Sequence, residues 1–251
     1  MRTTLAHTAV LALLTFTLTC CARTDTTPDK PKPAEPARQA DAGPVQHPDA
    51  APKTWRSLLE RQTAKSWRGW ESADLPKGWT VANGVISKDG EVDDLVTREE
   101  FANFELEFEW KLGKAGNSGL FYRGTREYDH IYWSATEYQL LDDANHPDGK
   151  NRLTSAAAAY GLYAPPAGVV RAANEWNSTR IVVDGAHVEH WLNGKKVVEY
   201  ELWSPDWKAK VAASKFVKYP NYGLAKKGYI GIQGDHPGTL ALRNIRIREI
   251  P

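Results

Sequence analysis

The feature that most constrains this chain is the strict alternation FELEFEWKL at residues 104–112. Phe104, Leu106, Phe108 and Trp110 fall on one side, with Glu105, Glu107, Glu109 and Lys111 on the other. A period of two is the repeat of an extended strand whose successive side chains point to opposite faces. One face therefore enters a core and the other, acidic one is expected to face solvent. No comparably long run with a helical period occurs anywhere in the 251 residues.

The rest of the chain repeats this arrangement in shorter units. Residues 78–90 read as a hairpin, 80–82 and 85–87, about the turn Asn83-Gly84, and residues 95–97 as a short strand. Asn-Gly between apolar alternations fits the positive backbone angles that tight hairpin turns require. Asn117-Ser118-Gly119 is expected to be a turn leading into a strand at 120–123. In 135–143 Glu137 and Gln139 share one face, opposite Tyr138 and Leu140. Strands at 180–184, 186–192 and 196–200 are joined by Asp184-Gly185 and Asn193-Gly194. Residues 143–159 read as irregular, Trp176 as a core residue, 203–218 as an excursion with a short helix, and WRSLLERQ near Thr54 as another short helix. Residues 226–250 carry two strands around one polar turn, Gln233-Gly234-Asp235-His236-Pro237-Gly238. Many short strands with regularly spaced turns predict an all-β fold, a two-sheet antiparallel sandwich.

Near-balance of charge, 32 basic against 31 acidic residues, gives no reason to expect nucleic acid or an anionic surface as partner. Ten Trp and ten Tyr suit β packing and also the stacking of flat rings on sugar faces. At the N-terminus, Arg2 precedes a short apolar run at 9–18, too short to span a membrane and consistent with a signal peptide. It ends Leu18-Thr19-Cys20-Cys21, which resembles a bacterial lipobox with Cys21 as the lipidated residue, although Cys20 stands where Gly, Ala or Ser is usual. Plain secretion is the alternative. The expected organisation is a lipoprotein signal peptide at 1–21, a Pro/Ala-rich disordered tether at 22–53 and a jelly-roll domain at 54–251. The expected location is the bacterial cell envelope, with membrane contact only through the anchor. Cys20 and Cys21 are the only cysteines, so the mature domain has no disulfide or thiolate metal site.

Six motifs occur in order: Asn117-Ser118-Gly119-Leu120-Phe121-Tyr122-Arg123, Glu137-Tyr138-Gln139-Leu140-Leu141-Asp142, Asn174-Glu175-Trp176-Asn177, Trp191-Leu192-Asn193-Gly194, Gly231-Ile232-Gln233-Gly234-Asp235-His236 and Arg243-Asn244-Ile245. Together they resemble the 3-keto-disaccharide hydrolase family, across about residues 67–250. The resemblance implies a jelly roll of the concanavalin A-like lectin and glucanase type. It also implies cleavage of glycosides already oxidised to a ketone at C3, by hydrolysis or by 1,2-elimination followed by hydration. One departure is that Gly234 is inserted in a turn usually similar to Gln-Asp-His-Gly, and Pro237 follows the His.

That chemistry needs a base for the C2 proton, a donor or cation for the enolate oxygen, and an acid for the leaving group. His236, Glu137 and Asp142 are the titratable candidates. Arg123, Gln139, Gln233 and Asn117 are candidates to orient or donate, and Tyr160 and Trp133 to stack on sugar; the His146-Pro147-Asp148 loop is expected to be a surface turn, with reach into the site as the alternative. A divalent cation held by Glu137, His236 or Asp142 would polarise the ketone, but no dense metal-ligand spacing is present, and the metal stays open. The same side chains would serve a non-catalytic carbohydrate-binding module. An ordinary endo-glucanase is disfavoured, because Glu105, Glu107 and Glu109 lack the central Asp of a Glu-x-Asp-x-x-Glu strand.

Overall fold

The computed structural model describes residues 54–251. The expected signal peptide, Cys21 and the expected tether lie outside the described residues. Among the described residues thirteen strands occur in chain order: β1 (Arg56–Ser57), β2 (Trp67–Gly69), β3 (Thr80–Ala82), β4 (Val85–Asp89), β5 (Leu95–Phe101), β6 (Phe104–Leu112), β7 (Asn117–Gly124), β8 (Thr136–Leu141), β9 (Asn177–Asp184), β10 (His187–Leu192), β11 (Lys195–Glu201), β12 (Gly228–Ile232) and β13 (Thr239–Glu249). One helix, α1 (Pro205–Ala212), lies between β11 and β12.

The strands form two antiparallel sheets, the jelly-roll sandwich expected from the sequence. The larger runs β11-β10-β9-β6-β13-β4-β3, with β1 also paired to β13; the smaller runs β2-β5-β12-β7-β8. The alternation of β6 is realised as read: Phe104, Leu106, Phe108 and Trp110 are buried between the sheets. The carboxylates on the other face form cross-strand ion pairs, Glu107 with Arg246 and Glu109 with Arg243, each at 2.5 Å.

Four expectations are corrected. WRSLLERQ holds β1 rather than a helix, because Ser57 pairs with Arg246 and Leu58 N–H donates to Ile245 O. Asn117-Ser118-Gly119 is not a turn; it is paired to β8 from Asn117↔Leu141 onward and begins β7. Trp176 is not core: it is half-buried on the outer face, stacked on the Arg243 guanidinium at 4.1 Å. The last two strands flank one polar turn but do not pair, since β12 lies in the smaller sheet and β13 in the larger. Residues 233–238 therefore cross from one sheet to the other.

A buried polar network crosses the core. Trp110 Nε1 donates to Thr179 Oγ1, Thr179 Oγ1 to the Tyr138 hydroxyl, and Tyr138 to Trp191 O, at 2.9, 2.9 and 3.2 Å. Beside it, His190 Nδ1 lies 3.0 Å from Ala157 O and its Nε2 3.0 Å from the Tyr122 hydroxyl, which meets the Tyr200 hydroxyl at 2.5 Å. Since Ala157 O can only accept, His190 is protonated on Nδ1 and accepts from Tyr122 at Nε2. Complete burial penalises the imidazolium and lowers the His190 pKa to about 4. A folded pKa below the unfolded value means that the unfolded state binds more protons between about pH 4 and 6.5, so this group costs stability as pH falls through that window. Its ring resonances should not titrate between pH 8 and 5 in NMR spectra. A midpoint near 6.5 would refute the buried network.

Candidate active site

The outer face of the smaller sheet, turned away from the core, carries a cavity of about 340 Å³. Its floor is built by β7, β8 and the end of β12. In β8 the inward residues Tyr138 and Leu140 are fully buried, so Glu137 and Gln139 must face outward into the cavity. On the neighbouring strand Gly119 lies opposite Gln139, and Phe121 opposite Glu137. A Cβ at Gly119 would collide with Glu137 Oε1. The glycine leaves room for the carboxyl to lie across β7. Gln233 N–H donates to Gly119 O at 2.9 Å, which fixes the start of the sheet-crossing segment beside this floor.

The walls come from elsewhere. Residues 157–160 run along the free edge of β8, with Ala157 N–H donating to Gln139 O and Tyr160 N–H to Glu137 O. This places Tyr160 at the rim and covers an edge that would otherwise be open. The excursion after β11 contributes Lys215, Phe216, Tyr219 and Tyr222, with Phe216 stacked on Tyr222 at 4.0 Å. The opposite wall is Asp235 and His236.

The crossing segment is clamped by buried charge. Lys88, only 4% exposed, donates from Nζ to His236 O at 2.6 Å, Gly90 O at 2.8 Å and Gly238 O at 3.4 Å. Burial lowers its pKa. Asp94 accepts from Gly234 N–H at 2.7 Å. Burial, followed by the nearby Asp235 and Asp93 carboxylates, raises Asp94 to about 7 against the opposing backbone hydrogen bonds. Gly234 packs directly on backbone, since a Cβ there would lie 2.6 Å from both Val92 O and Asp93 O. Only glycine fits this position without a shift of the backbone.

Glu137 opens only to the cavity and is otherwise enclosed by protein. Desolvation raises its pKa to about 8, opposed by Lys215 and reinforced by Asp94, Asp235 and Asp148. The carboxyl is thus largely protonated at neutral pH. Lys215 Nζ lies 4.4 Å from the Tyr160 ring centre. Four buried polar atoms on the lining side chains have no hydrogen-bond partner: Asn117 Oδ1, Gln139 Oε1, Gln233 Oε1 and the Tyr222 hydroxyl. Unpartnered buried acceptors are costly. All four belong to side chains that line this one aromatic-walled cavity.

Of the residues singled out in the sequence, Glu137, Gln139, Gln233, His236, Asn117 and Tyr160 come together here. Three do not. Asp142 accepts from Ala115 N–H and Asn145 Nδ2, both at 2.8 Å, and ties a loop. Arg123 is spent on Ala102 O, Gly185 O and Asn103 Oδ1. Trp133 packs behind the cavity-lining Tyr219 at 4.4 Å. Glu137, His236 and Asp142 therefore do not form one metal-ligand set. Among the described residues, three such ligands come within reach of one ion at His187, Glu189 and Glu199, on the outer face of the larger sheet, where Lys196 already bonds Glu189 and Glu199. Sequence reading missed Lys215, Asp94 and Lys88. For His146-Pro147-Asp148 it favoured a surface turn over reach into the site, and the structure takes the second alternative for Asp148, which lines the cavity.

Two antiparallel sheets, one bearing a polar, aromatic-walled cavity on its outer face, define a jelly-roll protein of the concanavalin A-like type. Residues 54–248 match the 3-keto-alpha-glucoside-1,2-lyase-like domain family, and the chain belongs to it. It is 35% identical over 224 residues, 76% of this chain and 77% of the relative, to a protein of Bacteroides thetaiotaomicron named 3-keto-disaccharide hydrolase. Two crystal structures from Parabacteroides distasonis, both assigned provisionally as glycosyl hydrolases, are also similar. One has a TM-score of 0.73 at 30% identity, covering 78% of this chain and 94% of that one. The other has a TM-score of 0.60 at 26% identity, covering 78% and 100%.

The approach of Gly119 to Glu137 predicts that Gly119→Ala displaces the carboxyl while the fold survives, because the clash is with the Glu137 side chain from Cγ outward and not with backbone. Turnover should fall at least tenfold with a thermal midpoint within a few degrees of wild type. Unchanged turnover would mean that this placement of Glu137 does not matter.

Proposed function

We propose that this chain cleaves the glycosidic bond of 3-keto-glycosides, including 3-keto-disaccharides, by 1,2-elimination followed by hydration of the resulting glycal. The observation that carries this reading is the meeting of Glu137, His236 and Lys215 in one cavity, where burial raises the Glu137 pKa. The C3 ketone acidifies the proton on C2. His236 takes that proton, the electron pair moves into the C1–C2 bond, and the C1–O bond breaks. Glu137 delivers its proton to the departing oxygen. Charge developing on the ketone oxygen faces the Lys215 ammonium. Water then adds at C1 and a proton returns to C2, so that the sum of the two halves is hydrolysis. Asn117, Gln139, Gln233 and Tyr222 take up substrate hydroxyls, and Tyr160 offers a ring for the sugar face. A divalent cation at the ketone would supply Lewis acidity in addition to Lys215.

The test is turnover of a panel of 3-keto-glucosides by the full chain, with native glucosides as controls and a chelator in parallel. Glu137→Gln and His236→Ala should each lower kcat by about 10²–10⁴-fold. Activity of the wild type should decline above about pH 8 as Glu137 loses its proton. Because Lys215 lowers the Glu137 pKa, Lys215→Met should move that alkaline limb upward. In D₂O the elimination route places deuterium on C2 of the product; direct hydrolysis does not. Binding of keto sugars without any turnover would replace this reading by that of a carbohydrate-binding module.

We further propose that Cys21 is lipidated and holds the domain at the bacterial envelope through the 22–53 tether. Among the described residues, no helix is long and apolar enough to cross a membrane. Cys21→Ser should move the protein from the membrane to the soluble fraction of cells, and Cys20→Ser should not. A soluble wild type would end the anchor reading.

A further inference from the structure

The outer surface of the larger sheet holds a second cavity of about 840 Å³, well over twice the volume of the first. It crosses β1, β13, β6, β9 and β10 in that spatial order. Four strand spacings make it roughly 19 Å long. An indole stands at each end. Trp55 precedes β1, with Arg246 and Arg248 at 4.8 and 5.0 Å from its ring centre. Trp191 on β10 has Arg180 at 5.5 Å, and its Nε1 donates to Glu189 Oε2 at 2.7 Å. These contacts fix the planes of the rings and leave both partly exposed.

The floor between the indoles alternates carboxylate and guanidinium. Arg180 pairs with Glu105 at 2.8 Å, while Arg246 and Arg243 pair with Glu107 and Glu109. Ser178 and Asn244 are exposed on this floor and make no side-chain hydrogen bond of their own. Pairing cancels most of the charge, so the surface has little field to gather a polyanion or polycation. It still presents closely spaced donors and acceptors, which suit hydroxyl groups, and two flat rings, which suit the apolar faces of pyranoses. Covering it with a second copy of the chain would desolvate several ion pairs with little apolar gain. The length fits several sugar units rather than one.

We propose that this face is a second glycan-binding site, taking a neutral polysaccharide chain and separate from the reacting cavity. It does not rest on the proposed reaction. Occupation of this face leaves the cavity on the smaller sheet open, so that the protein can reside on a polymer while acting on small glycosides.

The experiment is native affinity electrophoresis of the full chain in gels containing laminarin, dextran or xyloglucan, with polygalacturonate as an anionic control. At least one neutral glucan should retard the wild type. Trp55→Ala combined with Trp191→Ala should weaken retardation at least tenfold, with far-UV circular dichroism unchanged. Ser178→Arg, which fills the groove from an exposed position, should weaken it as well and guards against a misfolded double variant. Glu137→Gln should be retarded like the wild type. Turnover of a small 3-keto-glucoside should stay within twofold in the groove variants. Absence of retardation by every neutral glucan would overturn the proposal. So would retention of full retardation in the groove variants, retardation by the polyanion alone, or a dimer in sedimentation that the groove variants dissolve.

Discussion

The structure depends on the two-sidedness of one short strand, β8. Its Tyr138 hydroxyl accepts from Thr179 and donates to Trp191 O, both on the larger sheet, and the ring is fully buried between the sheets. A strand pinned in this way cannot slip by one residue, because slippage would expose Tyr138 and Leu140 and bury Glu137 and Gln139. The buried hydrogen bonds fix register more than they add net stability, since each replaces one made to water. The same register aims Glu137 and Gln139 into the cavity. Core and site are thus two faces of one constraint, with Gly119 on the adjoining strand providing the space that the carboxyl needs.

The second constraint is the sheet-crossing segment. A chain leaving one sheet for the other has no ladder to hold it, and its backbone groups must find other partners. Lys88 supplies a cation to three carbonyls and Asp94 an acceptor to an amide, both from the segment around the β4–β5 connection. They hold the backbone of His236 while its side chain stays 38% exposed at the cavity wall. The charges that position the loop also act on the site. Asp94 and Asp235 add to the desolvation that keeps Glu137 protonated, and Lys215 opposes them. The cavity therefore combines a neutral acid, an imidazole and an ammonium within one small volume.

Much of the fold was legible because it is written in local patterns. Strict alternation placed β6, Asn83-Gly84 and Asn193-Gly194 marked hairpins, and the shared face of Glu137 and Gln139 follows from the period of a strand. Errors arose where tertiary pairing overrides local preference. Asn117-Ser118-Gly119 has turn composition yet begins a strand, because β8 and β12 flank it on either side. Arg123 and Asp142, beside the site in sequence, are consumed by backbone and side-chain partners that no spacing announces. Lys215 went unnoticed because its excursion looks like a generic polar helix until Phe216 and Tyr222 pack it against the cavity.

The sequence by itself determined the all-β class, the approximate strands, the family and six of the residues that meet in the cavity. These are properties of periodicity and of motif order, which survive without knowledge of which strand lies beside which. The tertiary structure alone decided that the last two strands belong to different sheets. It alone decided that Gln233, Glu137 and Lys215, far apart along the chain, share one cavity, and that a second groove crosses the opposite face between Trp55 and Trp191. Strand order across a sheet and burial of a charge depend on contacts distant in the chain. Such contacts set the Glu137 pKa and leave the amide oxygens unpartnered, and no local pattern records them.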